Sequence, residues 1–168
     1  MLSDALEIHD DAWIAATAVI EGDVRIGAES SVWHQCVLRG DLAHIRIGAR
    51  TNVQDACVLH VDSDWPVRIG NEVTVGHRAV VHGCRIGDGA VVGMGAVLLT
   101  GCEIGAGALV AAGAVVREGQ RVAEAAIVAG VPAKPIGEVD ASARARFAEG
   151  VRLYVEAART RREEESRP

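Results

Sequence analysis

Aliphatic side chains recur at intervals of six along most of the chain. They fall at Ile8, Ile14, Ile20, Ile26, Val32 and Leu38, then at Ile47, Val53 and Leu59, at Ile69, Val75 and Val81, at Ile86, Val92 and Leu98, and at Ile104, Val110 and Val116. Neither the 3.6-residue period of an amphipathic helix nor the alternation of a simple strand produces this pattern. Grouped in threes, the positions describe triangular coils with short flat strands as sides and small or polar residues at the corners. The aliphatics then point inward and bury a continuous core only by stacking coil upon coil. The pattern predicts an all-β solenoid, a parallel β-helix of about six triangular coils, over residues 1–137.

Beyond the coils the period becomes helical. Phe147, Val151, Tyr154, Val155 and Ala158 form one apolar stripe, which predicts an α-helix of about four turns and then a charged tail from Arg159 to Glu165. Residues 138–168 are expected to pack along the prism as a C-terminal helix and tail. Pro132 and Pro135 suit an extended exit from the last coil, because proline is excluded from helix interiors.

Three steps break the six-residue rule. Leu38 to Ile47 is nine residues and Leu59 to Ile69 is ten, so insertions are expected to leave the coils stacked and project loops at the corners. The first carries Arg39-Gly40-Asp41 and the second Asp62-Ser63-Asp64-Trp65-Pro66. Val81 to Ile86 is only five, which predicts either a tighter corner or a register shifted by one. Trp13, Trp33 and Trp65 are too bulky to repeat inside a narrow aliphatic prism and are expected at edges or interfaces.

Composition agrees with this architecture. The 19 glycines match repeated tight corners such as Ile26-Gly27, Ile47-Gly48 and Ile69-Gly70, and a single Phe and a single Tyr leave the core to Val, Ile, Leu and Ala. A formal charge of -6 disfavours nucleic acid or an anionic membrane as a partner, while a local basic patch stays compatible with a small anion. No apolar run approaches the roughly 18 residues of a membrane span, and Met1-Leu2-Ser3-Asp4 lacks the features of a secretory signal, so a cytoplasmic location is expected. Cys36, Cys57, Cys84 and Cys102 form no CxxC pair and are expected to be small buried thiols.

Allowing for the insertions, Arg39, His60, His82 and Leu99 each follow the third inward aliphatic of a coil and form one outward column. His34, Asp55, His77 and Met94, two positions after the middle aliphatic, form a second. Neighbouring coils lie about 4.8 Å apart, so His60 and His82 can approach one metal ion. His77 precedes His82 by five residues on another stretch of the same coil; an extended step of that length covers roughly 16 Å, and the side chains diverge. One chain is not expected to close a three-histidine site. A neighbouring copy can, and three prisms around a three-fold axis repeat the junction three times. Three neutral imidazoles with an open fourth position suit zinc and lower the pKa of water held there from about 15.7 toward 7. Co2+, Ni2+ or Fe2+ are also acceptable to imidazole. On spacing alone, the alternative of three unrelated surface or interface histidines stays open.

The surrounding segments add a more specific signal. Val37-Leu38-Arg39-Gly40-Asp41 is followed by Ile47-Gly48-Ala49-Arg50-Thr51-Asn52-Val53-Gln54-Asp55, then Val58-Leu59-His60, Val73-Thr74-Val75-Gly76-His77 and Val81-His82-Gly83-Cys84, with Gly93-Met94-Gly95-Ala96 and Gly130-Val131-Pro132-Ala133-Lys134 beyond. Over nearly the whole chain this order resembles the bacterial gamma-class carbonic anhydrase-like hexapeptide-repeat family. The resemblance implies left-handed β-helices assembled as homotrimers, with zinc held by His60 and His82 of one chain and His77 of its neighbour. It matches Arg39 and Asp41 to the family's RGD segment, Asn52, Gln54 and Asp55 to its NxQD segment, and Tyr154 to a tyrosine of the C-terminal helix, where packing is the expected role. Arg39 with an acidic partner such as Asp55, and Asp41 with a basic group, would tie subunits together by charge-assisted bonds. Gln54 would orient an oxygen in the site.

The activity so implied is reversible hydration of carbon dioxide to bicarbonate, which requires a route for the released proton. The longer acidic loops that carry the family's proton-shuttling glutamates have no counterpart here; Asp62 and Asp64, close to His60 in a compact loop, are candidate substitutes. Three alternatives stand beside this reading: an acyl-CoA thioesterase using the same open metal position, a hexapeptide acyltransferase with His34, His60 or His82 as base, and a non-enzymatic, metal-stabilised trimeric scaffold.

Overall fold

A computed structural model describes residues 5–165; the Met1–Asp4 stretch considered above lies outside the described residues, as do residues 166–168. Short parallel strands build three sides of a prism. The second side shows the rule most plainly: Trp13–Ile14, Ser31–Val32, Asn52–Val53, Thr74–Val75, Val91–Val92, Leu109–Val110 and Ala126–Ala129 pair one above the next. The first side includes Val67–Ile69, Arg85–Ile86 and Glu103–Ile104, and the third includes Val58–His60, Val80–His82 and Val97–Leu98. The result is a left-handed parallel β-helix followed by one α-helix. Six full coils are succeeded by part of a seventh, because the hexad continues through Val122 and Val128, both buried.

Stacking of the inward aliphatics is complete in the middle of the prism. Val32, Leu38, Val53, Leu59, Val75, Val81, Val92, Leu98, Val110 and Val116 are all at 0% exposure, each contributing about 1.5–3 kcal/mol by burial. At the N-terminal end, where no coil lies above, Ile8 is exposed and Ile14 and Ile20 are half-buried. At the other end Lys134–Glu138 pairs antiparallel with Ala126–Ala129 and turns the chain back. All four cysteines are buried and free. Cys57 is held above the ordinary thiol value by its hydrogen bond to Cys36 and by burial, and Cys84 by its bond to Cys102 and by burial.

The three irregular steps resolve differently. Val37–Ile47 is one continuous strand, and its extra residues form a bulge opposite Val19–Ile26 instead of a projecting loop. Gly22, at φ 81°, permits the close backbone approach to Gly40 there. The second insertion is a turn closed by reciprocal backbone bonds between Asp62 and Trp65 (3.1 and 2.9 Å). At the short step the register Ile69–Ile86–Ile104 is unbroken, so the corner is tighter: Gly83 turns it at φ 50°, and Trp65 packs so closely that a Cβ on Gly83 would lie 2.9 Å from its Cβ.

The α-helix, α1, spans Ala141–Glu165 and absorbs the segment read as a tail. Asp140 caps it, its Oδ1 accepting from the Ala143 amide at 2.7 Å. The last turns are supported by charge more than by apolar burial: Arg159–Glu163 (3.6 Å) and Arg161–Glu164 (3.4 Å) pair along the helix, and the Trp13 indole donates to Glu165 at 3.1 Å. Val151 and Ala158 are buried, and α1 packs on the second side of the prism. Trp13, Trp33 and Tyr154 meet edge to face beneath it, with centroids 4.9 and 5.3 Å apart. Among the described residues, no helix is long and apolar enough to cross a membrane.

Candidate metal centre

Parallel register assembles the first column. Glu21 pairs with Arg39, Arg39 with His60 and His60 with His82; the two histidines end their strands on the third side, whereas Glu21 and Arg39 lie within longer strands that run on past the corner. The imidazoles converge: His60 Nδ1 and His82 Nε2 are 3.1 Å apart, with centroids at 5.0 Å. Two ring nitrogens at that separation require a proton or a cation between them. Bonds of about 2.0–2.1 Å in a tetrahedral zinc shell place neighbouring nitrogens roughly 3.3 Å apart, so the pair fits one edge of such a shell.

The remaining ring nitrogens are engaged. His60 Nε2 is 3.0 Å from Asp41 Oδ1, and His82 Nδ1 is 2.9 Å from Thr100 Oγ1. Partners of this kind fix the tautomer and plane of a ligating imidazole. Burial works to raise the Asp41 pKa, but hydrogen bonds to His60 and Arg39 hold it below the ordinary carboxylate value. Arg39 pairs with Asp41 in its own chain and stands 3.9 Å from Glu21. Thr100 was not singled out from the sequence, because counting one residue per coil puts Leu99 in the column and Thr100 reaches His82 from the next position.

The second column stacks through its backbone: His34 O accepts from Ala56, Asp55 O from Arg78 and His77 O from Gly95. His77 Nδ1 lies 2.9 Å from Asp55 Oδ2, and both side chains are about two-fifths exposed. His34 Nδ1 is 3.0 Å from Thr17 Oγ1. Gln54 is buried; its Nε2 donates to Asn52 Oδ1 (3.0 Å) and its Oε1 accepts from the His77 amide (3.2 Å). Asn52, also buried, donates to Thr74 Oγ1 at 3.1 Å. Together they set the corner that carries His77 and, among the described residues, leave one Gln54 N–H uncommitted. Asp62 Oδ1 accepts from the Ser63 amide at 2.8 Å, and Asp64 is exposed on the same turn. The Tyr154 hydroxyl is pushed up by burial and by the charge of Asp55. Among the described residues of a single chain, no group of three His, Cys, Asp or Glu is arranged to hold a metal.

The profile of the bacterial transferase hexapeptide (six repeats) family matches residues 6–40, 66–100 and 83–118. The chain belongs to this hexapeptide-repeat family. Among its relatives, gamma carbonic anhydrase 2, mitochondrial, of Arabidopsis thaliana is 43% identical over 98 residues, covering 55% of this chain and 35% of that protein. A carbonic anhydrase of Geobacillus kaustophilus is 38% identical over 93 residues, covering 55% of this chain and 51% of its own length. The chain therefore spans about a third to a half of these two relatives. A crystal structure from Bacillus cereus, provisionally described as an acetyltransferase, superposes with a TM-score of 0.94 at 38% identity, covering 96% of this chain and 94% of the other. The chain's relatives thus carry both carbonic anhydrase and acetyltransferase names.

Proposed function

We propose that this hexapeptide-repeat protein is a metal-dependent lyase of the gamma carbonic anhydrase type, converting carbon dioxide and water to bicarbonate and a proton at sites shared between copies in a homotrimer. The observation that carries the reading is the His60–His82 pair, two nitrogens 3.1 Å apart with Asp41 and Thr100 behind them. His77 of a neighbouring copy is the third donor. The columns support such packing: one presents Glu21, Arg39, His60 and His82, the other His34, Asp55 and His77. Set side by side, Glu21 meets His34, Arg39 meets Asp55, and His77 meets the histidine pair.

Zn2+ suits this donor set best, with Co2+, Ni2+ or Fe2+ chemically acceptable. When bound, the cation supplies Lewis acidity that makes water a nucleophile at neutral pH. Asp41 and Thr100 hold the imidazole planes, and Gln54, anchored through Asn52, positions His77 and offers its free N–H to an oxygen of the substrate. Asp62 and Asp64 offer carboxylates to take the proton released with each bicarbonate.

The test is metal content and native mass, followed by a hydration assay at neutral and alkaline pH. One zinc per chain in a trimer is expected, with metal and hydration both lost in His82→Ala. A metallated trimer with no hydration above solvent contradicts the reading. Acyl transfer or acyl-CoA hydrolysis is a second reading, favoured by the match over 96% of the chain to a protein described as an acetyltransferase. Thiol release from acyl-CoA compounds, with and without acceptors, measured on the same preparation, separates the two.

A further inference from the structure

On the first side of the prism the outward residues of successive coils form another column. Glu7, Arg25, Arg46, Arg68, Arg85, Glu103 and Arg121 stand in register, strand upon strand. Four consecutive rungs are arginine, in a chain with a formal charge of -6. At about 4.8 Å per rung they crowd four guanidinium groups along roughly 14 Å. Like charges facing across neighbouring strands destabilise a sheet unless something neutralises them.

Neutralisation stops half-way down. Arg25 pairs with Glu7 at 3.1 Å, and Arg46 meets both oxygens of Asp23 at 2.8 and 3.0 Å. Arg121, below, is 3.5 Å from Glu103. Among the described residues Arg68 has no acidic partner: its Nε donates to His44 Nε2 at 3.2 Å. Burial and the charges of Arg46 and Arg68 hold His44 below its ordinary pKa, so the ring is neutral and can accept. Among the described residues, the Arg85 side chain makes no ion pair or hydrogen bond. Arg68 and Arg85 are exposed neighbours and border an open groove of about 720 Å³, with Gly70, Gly87 and Gly105 in its floor. Those glycines let the coils stack closely, since a Cβ on any of them would strike the neighbouring coil.

We infer that this groove binds the diphosphate group of a small molecule, Arg68 and Arg85 each gripping one phosphate. A guanidinium presents a planar fork that matches phosphate oxygens two at a time. Glu103 and Glu124 also line the groove but, among the described residues, neither carboxylate pairs with Arg68 or Arg85, and two adjacent forks that no carboxylate engages suit two adjacent anionic groups, which a diphosphate supplies and a single carboxylate does not. The diphosphate can be free or the bridge of a nucleotide. The groove lies on a different side of the prism from the strands bearing His60 and His82, so its test does not depend on hydration activity.

Calorimetric titration of the full chain with pyrophosphate, ADP and succinate tests the inference. Saturable binding of pyrophosphate or ADP is expected, weakened about tenfold or more by Arg85→Gln and again by Arg68→Gln, as loss of a charge-assisted bond implies. Arg146→Gln, on α1 against a different side of the prism, should leave affinity unchanged, and thermal melts of every variant check that each is folded. ADP binding more tightly than pyrophosphate assigns a nucleotide; equal affinity assigns inorganic diphosphate. Absence of saturable binding at millimolar concentration, equal binding of succinate, or affinity unchanged in the folded Arg68→Gln/Arg85→Gln variant overturns the inference.

Discussion

In the second to fourth coils the left-handed corner positions are Glu29, Gln35, Arg50, Ala56, Glu72 and Arg78, with φ from 55° to 61°. In the fifth and sixth coils the corresponding corners are turned by Gly89, Gly95, Gly107 and Gly113, and a residue with a Cβ returns at Ala125 (φ 54°) in the partial seventh coil. A residue with a Cβ costs about 1–2 kcal/mol in that conformation and glycine does not, so the two halves build one geometry at different cost. The outward columns divide at the same level: Arg39, His60, His82, Asp55 and His77 lie in the costlier coils, and Leu99 and Met94 in the regular ones. Corner side chains in the early coils also make contacts that glycine cannot, as where Arg50 reaches Glu72 at 3.1 Å and Glu29 at 3.9 Å. Strain held in place by stacked neighbours accompanies the chemistry, and the regular coils supply a rigid base for it.

Core substitutions give the largest effects and probe what the halves share. Leu59 and Leu98 are both at 0% exposure, and Leu59→Ala and Leu98→Ala should each cost about 2–5 kcal/mol in urea unfolding. A much smaller loss at one would show that the stacking differs between halves. Exchanging corner residues probes what they do not share. Gly95→Ala meets no atom within 4 Å, so its cost of about 1 kcal/mol should come from φ 68° alone, whereas Ala56→Gly should be neutral or stabilising by up to about 1 kcal/mol.

Acid should act first on the early coils. The Arg46 hydrogen bond holds the Asp23 carboxyl below its ordinary value of 3.8, against burial, which opposes it. With a folded pKa below the unfolded one, its stabilisation is present above pH 3.8 and is lost as pH falls through the lower folded value; Asp41 follows the same sign. A pH series of melts in the acid range, with Asp23→Asn flattening the loss, checks this. The smallest effect is expected from Arg50→Ala. Its ion pairs are about half exposed, so the loss should be under about 1 kcal/mol and shrink in high salt.

The three sides of the prism and the buried stack were legible because each hexad position answers one question, inward or not. Residue counts did not reveal how extra residues are accommodated: nine residues from Leu38 to Ile47 fit a loop or a bulged strand equally, and the Gly22–Gly40 approach decides it. The length of α1 was hidden because an apolar stripe ends at Ala158, whereas charged pairs and Glu165 carry the helix further. Column counting brought His60 and His82 together but missed Glu21 and Thr100, since one residue per coil ignores side chains that reach diagonally. The arginine column was visible as Arg-Ile-Gly at 25–27, 46–48, 68–70 and 85–87. Only the pairing pattern shows that Arg68 and Arg85 lack acidic partners among the described residues.

The central claim concerns a site that one chain does not complete, and complementation between defective chains tests it most directly. His77→Ala retains the histidine pair and His60→Ala retains His77, so neither homotrimer should bind zinc stoichiometrically, whereas trimers reassembled from the mixture should regain zinc at the junctions where an intact pair faces an intact His77. Full zinc binding by His77→Ala alone, or no recovery in mixed trimers of confirmed mass, would contradict a site shared between chains.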